Sequence, residues 1–141
     1  MNLLEYSLVK TIVVVSSDTP AGEDIGAEEL RFRHLLRGWA DIGYHFIVRL
    51  DGSVEQGRDL KFQGAHAPGY LDRSVSVCYI GGLLPDGTPG DTRTPRQKEA
   101  LRRLLRRLRL RYHESVVVGL RDLPRQHTQN PGFDAKKEYK I

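Results

Sequence analysis

At 141 residues and 39% hydrophobic content, the chain has the size of one ordinary domain and apolar mass enough for a single packed core. Its formal charge of +4 and sequence pI of about 9.4 suit an acidic partner, whether an anionic wall polymer, nucleic acid or a membrane surface, without choosing among them. The lone Cys78 excludes an internal disulfide, and no apolar run approaches the roughly 20 residues of a membrane span. Residues 1–10 lack a basic segment followed by an apolar one, so the default expectation is a protein kept in the cytoplasm.

In chain order, the β-branched run Thr11–Ser16 predicts a buried strand, and the Ser-Asp-Thr-Pro-Ala-Gly stretch at 17–22 a loop. Residues 27–37, with Leu30, Leu35 and Leu36 as apolar positions and Gly38 as a stop, predict a helix. Asp51-Gly52 between 44–50 and 53–56 is a hairpin signal, and 75–80 predicts a strand halted by Gly81-Gly82. The clearest element is the helix 95–112: Thr94 is its N-cap, Pro95 its first residue, and Gln97 completes a capping box. Leu101, Leu104, Leu105 and Leu108 form its core-facing stripe, while Arg102, Arg103, Arg106, Arg107, Arg109 and Arg111 take most of the rest. A strand at 116–118 and a short helix within 133–139 finish the chain. Strands interleaved with helices predict one α/β domain over residues 1–141: a mixed central sheet, helix 95–112 on one face and helix 27–37 beside it.

Three stretches together resemble the type-2 N-acetylmuramoyl-L-alanine amidases, a family that includes phage lysozymes and the peptidoglycan recognition proteins. The first is Gly38-Trp39-Ala40-Asp41-Ile42-Gly43-Tyr44-His45-Phe46 with Arg49-Leu50-Asp51-Gly52-Ser53-Val54-Glu55. The second is Gly64-Ala65-His66-Ala67-Pro68-Gly69-Tyr70 leading into Ser74–Gly82, and the third is Gly119-Leu120-Arg121-Asp122-Leu123 with Asn130-Pro131-Gly132-Phe133-Asp134. The resemblance spans roughly residues 11–139. It implies an amidase fold and a zinc ion, held by two histidines and a cysteine, that activates water against the bond between muramic acid and L-alanine.

Those three ligand positions correspond here to Val15, Leu120 and Asn130. Two alkyl side chains offer no donor atom, and an amide oxygen is a poor zinc ligand beside imidazole or thiolate. The expectation is therefore that the family zinc is absent, no cofactor replaces it, and no catalytic residue is retained except as relics at Tyr44 and Thr128. By the same resemblance Tyr44, His66, Tyr70 and Thr128 line a ligand cleft and Arg121 supports its wall. Leu71 and Val75-Ser76 depart from the family pattern along that wall.

The expected function is a catalytically silent homologue that binds a peptidoglycan fragment. Two alternatives stand beside it. One is an active amidase with a rebuilt metal site around His66 and His127, with Asp122 or Asp134 as a further ligand. The other is an interaction or inhibitor module that turns its arginine face to an acidic protein. Without interleaved aromatics or a nucleic-acid motif, nucleic acid is not the expected partner, nor is a membrane. Strand alternation turns His45 away from Tyr44 as a structural histidine. His34 and His113 are expected on or near helix surfaces, and Cys78 as a small buried hydrophobe.

Overall fold

The computed structural model describes residues 1–141, and its frame is a five-stranded sheet built around the predicted β-branched run. β1 (Thr11–Ser16) pairs in parallel with β5 (Ser74–Tyr79) on one side and β7 (Val116–Gly119) on the other. β3 (Phe46–Val48) adds in parallel to β5, and β4 (Val54–Gln56) closes the far edge antiparallel to β3, giving the order β4-β3-β5-β1-β7. The mixed sheet is the one expected. The β3–β4 hairpin turns where Asp51-Gly52 predicted it: Gly52 has φ of +86°, the left-handed region that glycine enters at no steric cost. Its strands are shorter than expected, because Tyr44 and His45 precede β3 as irregular backbone. The 17–22 loop is partly a strand: β2 (Thr19–Pro20) pairs with β6 (Gly82–Leu83) in a separate two-stranded sheet. Two residues with a proline carry no periodicity, so only the partner reveals them.

Side chains alternate across β1, and that alternation makes two cores. Ile12 and Val14 join Val75, Val77, Tyr79 and the leucines Leu101, Leu104, Leu105 and Leu108 of α2 (Pro95–Arg111) in a cluster of 18 buried residues. Val13 and Val15 join Ile47, Cys78, Ile80, Val118 and the residues Ala27 and Leu30 of α1 (Ala27–Leu36) in a second cluster of 11. The two helices therefore cover opposite faces, and α1 is not beside α2 as expected. The capping box of α2 forms as predicted: the Thr94 hydroxyl accepts from the Gln97 amide at 3.1 Å, and the Gln97 carboxamide accepts from the Thr94 amide at 2.9 Å.

α1 ends at the predicted glycine, since Gly38 holds φ of +87° and donates to the Leu35 carbonyl. Its buried face is not the one its leucines predict. Leu35 and Leu36 are 49% and 73% exposed, whereas His34 is buried beside Ala27 and Leu30. Three residues on from Ala27 is Leu30 and four further is His34, so the helix presents an imidazole to the core. The last helix, α3 (Ala135–Glu138), is shorter than the 133–139 expected. It is tied down by Arg93, whose buried guanidinium pairs with Asp91 at 2.9 Å and Glu138 at 2.6 Å and lies 3.3 Å from the Phe133 ring centre. No helix is long and apolar enough to cross a membrane.

Candidate functional site

The parallel strands β1, β5 and β7 end together, and the chain leaving each end supplies the site. Val15 pairs with Cys78, and Gly119, the residue before Leu120, pairs with Val14. Asn130 reaches the same place from the loop before α3: its carboxamide oxygen accepts from the Ser16 amide at 2.7 Å, and its nitrogen donates to the Ser16 carbonyl at 3.0 Å. Its own backbone is held by the Thr128 hydroxyl at 3.1 Å and by the Arg121 amide, which donates to the Asn130 carbonyl at 2.8 Å. Three positions far apart in sequence thus converge. Asn130 is 6% exposed and Val15 1%.

These residues do not fit the family metal. Val15 contributes only methyl groups to the α1-face core, and Leu120 packs against that same core. The Asn130 carboxamide is bonded at both ends to the Ser16 backbone, and its oxygen is a weak zinc ligand beside imidazole or thiolate. Elsewhere in the molecule no group of three or more His, Cys, Asp or Glu side chains comes together. His127 is exposed, Asp122 accepts from the Gly119 amide at 2.8 Å, and Asp134 caps α3 by accepting from the Lys137 amide at 3.1 Å.

The structure brings some of the other expected residues to this place and leaves others apart. Tyr44 and Tyr70 are half-buried and pack, like Leu120, against the α1-face core. Burial pushes the Tyr44 phenol far above its ordinary value, and Cys78 and Asp18 act in the same direction. The Arg73 guanidinium covers the Tyr70 ring at 5.1 Å. Thr128 is exposed and Arg121 half-exposed, both next to Asn130. His66 adjoins Tyr70 and Gly43: its Nε2 is 2.8 Å from the Ser74 hydroxyl, which bonds the Tyr70 carbonyl, and its ring packs against Gly64 beside the Gly43 carbonyl. None of the five main cavities is lined by these residues.

Three buried histidines support this face. His45 is fully buried, with Nδ1 accepting from the Ser76 amide at 3.1 Å and Nε2 donating to the Phe62 carbonyl at 2.8 Å. Both ring nitrogens are thereby bonded inside the protein, on irregular backbone to which strand alternation does not apply. The Ser74 hydroxyl donates to the Tyr70 carbonyl at 2.7 Å, so it accepts from His66 Nε2 and leaves His66 Nδ1 buried without a partner. His34 was expected on a helix surface but is 3% exposed: its Nδ1 accepts from the Gly43 amide at 2.9 Å, and its ring lies 4.4 Å from Trp39 and 5.3 Å from Tyr44. Burial lowers His34 and His45 to about 4 and His66 to about 3. Arg58, also buried, donates to the carbonyls of Ile42, Gln63 and Asp41 at 2.8, 2.7 and 3.0 Å and fixes the loop that carries Tyr44. Cys78 is fully buried, as expected, and burial raises its thiol.

Sequence comparison adds relatives to this geometry. The endolysin of Klebsiella phage KP32 is 43% identical over 126 residues, 89% of this chain and 82% of its own. Among solved structures, the N-acetylmuramoyl-L-alanine amidase LysC from Clostridium intestinale superposes with a TM-score of 0.79 at 28% identity, covering 96% of this chain and 85% of LysC. The ectodomain complex of peptidoglycan recognition proteins LCa and LCx, solved with bound tracheal cytotoxin, matches with a TM-score of 0.72 at 28% identity over 97% of this chain and 84% of that one. The family described as N-acetylmuramoyl-L-alanine amidase matches residues 6–133. Sheet, convergent strand ends and relatives agree, and this protein belongs to the N-acetylmuramoyl-L-alanine amidase family.

Proposed function

We propose that this protein is a zinc-less member of its family that binds peptidoglycan fragments without hydrolysing them. The observation that carries the reading is the closed Asn130–Ser16 pair beside the buried Val15, at the point where Leu120 also arrives. Amide hydrolysis at neutral pH needs the carbonyl polarised and water activated, and no side chain here takes over either task. His66, buried against Ser74 and lowered by burial to about 3, is too weakly basic to take a proton from water at neutral pH. Peptidoglycan as the partner is supported by the family and by the relative solved with tracheal cytotoxin. In this reading Tyr44, Tyr70, Arg121 and Thr128 contact the fragment, with His66 supporting the Tyr70 end through Ser74.

The test is a calorimetric titration of the full chain with soluble muropeptide, beside an amidase assay on purified peptidoglycan, each with and without added zinc. Saturable binding that zinc does not alter, and no release of peptide, is the expected result. Zinc-dependent cleavage would overturn the reading. A second reading, an interaction module, is favoured by one observation: the main cavities avoid these residues, while Arg103, Arg106 and Arg107 line one of about 430 Å³ along α2. Absence of muropeptide binding together with absence of turnover selects that reading.

A further inference from the structure

β7 runs from Val116 to Gly119, and the site above lies at its end. Beside its start opens a cavity of about 650 Å³, lined by Arg109 of α2, Lys136 and Lys137 of α3, and Lys140. Val116, Val117, Tyr139 and Ile141 supply the apolar part of the wall. No Asp or Glu side chain lines it, and the main-chain oxygen of Ile141 is already held by Arg109. The acids of the nearby helix are used elsewhere: Glu138 is held by Arg93, and Asp134 caps α3. Four cationic side chains thus face one space with no acidic side chain in its lining. Arg109 is also incompletely satisfied: one terminal nitrogen donates to the Ile141 carbonyl, but its Nε–H is buried without an acceptor.

Two demands follow from this lining. The charge calls for an anion with more than one negative charge, since a single carboxylate leaves most of the repulsion among the four cations in place. Arginine and several ammonium groups together match a tetrahedral oxyanion, whose oxygens accept from a guanidinium fork and from point charges at once. The apolar wall calls for a hydrophobic portion on the same molecule, as in ordinary small-ligand pockets of this size. We propose that this cavity binds an organic phosphate, a phosphate monoester carried on an apolar group. The site is separate from the peptidoglycan reading and does not depend on it, because the two lie at opposite ends of β7.

The probe is hexyl phosphate, titrated calorimetrically into the full chain at low salt, with inorganic phosphate as the comparison. One saturable site that weakens as salt is added, and prefers hexyl phosphate by roughly tenfold, is expected. Lys136, Lys137 and Lys140 are exposed, so the double variant Lys137→Gln, Lys140→Gln should keep its melting temperature and lose at least about tenfold in affinity. Arg109→Gln should weaken binding similarly. Vesicles distinguish the sources: sedimentation with phosphatidic acid but not phosphatidylcholine assigns a lipid phosphate. Binding of hexyl phosphate without sedimentation assigns a soluble ester. Either keeps the site. No saturation by hexyl phosphate at millimolar concentration, or unchanged affinity in the double variant, overturns it. Equal affinity for hexyl and inorganic phosphate removes the apolar wall from the site.

Discussion

Acidification should unfold this protein well before its carboxylates titrate. His34, His45 and His66 are held neutral by burial at about 4, 4 and 3, against 6.5 in the unfolded chain. The direction follows from proton counting: below pH 6.5 the unfolded chain takes up protons that the folded one refuses. Stability is therefore full above that pH and falls as pH drops toward 4. Between pH 7 and pH 5 each histidine removes about 2 kcal/mol, so the three together remove about 6 kcal/mol, comparable with the whole stability of an ordinary domain. Trp39, the only tryptophan, is stacked 4.4 Å from His34 and provides the signal. Urea unfolding followed by its fluorescence should show the midpoint falling by about 3 M between pH 7 and pH 5, at a slope of about 2 kcal/mol per molar urea. Midpoints that agree within about 0.5 M would refute the reasoning, since they would mean the imidazoles are accessible to protons in the folded state.

Further outcomes follow from single side chains. Asn130→Ala should cost about 2–3 kcal/mol in chemical denaturation, because it strands both the amide and the carbonyl of Ser16 in a buried place. Arg93→Ala should be more severe, about 3–5 kcal/mol, leaving Asp91 and Glu138 facing each other and freeing α3; a loss below 1 kcal/mol would show the network to be dispensable. Thr94→Ala removes one side of the capping box and a bond from its hydroxyl to the Leu50 carbonyl at 2.7 Å, so a loss of about 1–2 kcal/mol is expected in the same assay. Leu36→Gln on the outer face of α1 should leave stability within about 0.5 kcal/mol, which separates the exposed leucine from the buried stripe the sequence suggested.

The elements with their own local chemistry were legible in the sequence. Thr94, Pro95 and Gln97 start α2 wherever the helix is placed, because the capping bonds close within four residues. Asp51-Gly52 makes its turn for an equally local reason. The α1 face was less legible. Its three apolar residues do not share a stripe, and the histidine that does is polar by type, so a count of hydrophobic positions chose the wrong side. The pairing of Thr19–Pro20 with Gly82–Leu83 carried no local signal at all.

The candidate site divides in the same way. The sequence by itself determined that Val15 and Leu120 bring no donor atom, since composition at a position is independent of the fold. It also determined the α/β class, through β-branched runs alternating with a capped, leucine-striped helix. Only the tertiary structure decided that Asn130 closes on the Ser16 backbone and that His66 is tied through Ser74 to Tyr70. It alone put three imidazoles where water does not reach, and Arg109 and three lysines around one cavity. Chemical type is written one residue at a time. Distance, burial and the sign of a neighbour's charge arise only when strands remote in sequence are packed together, and they set what those residue types can do.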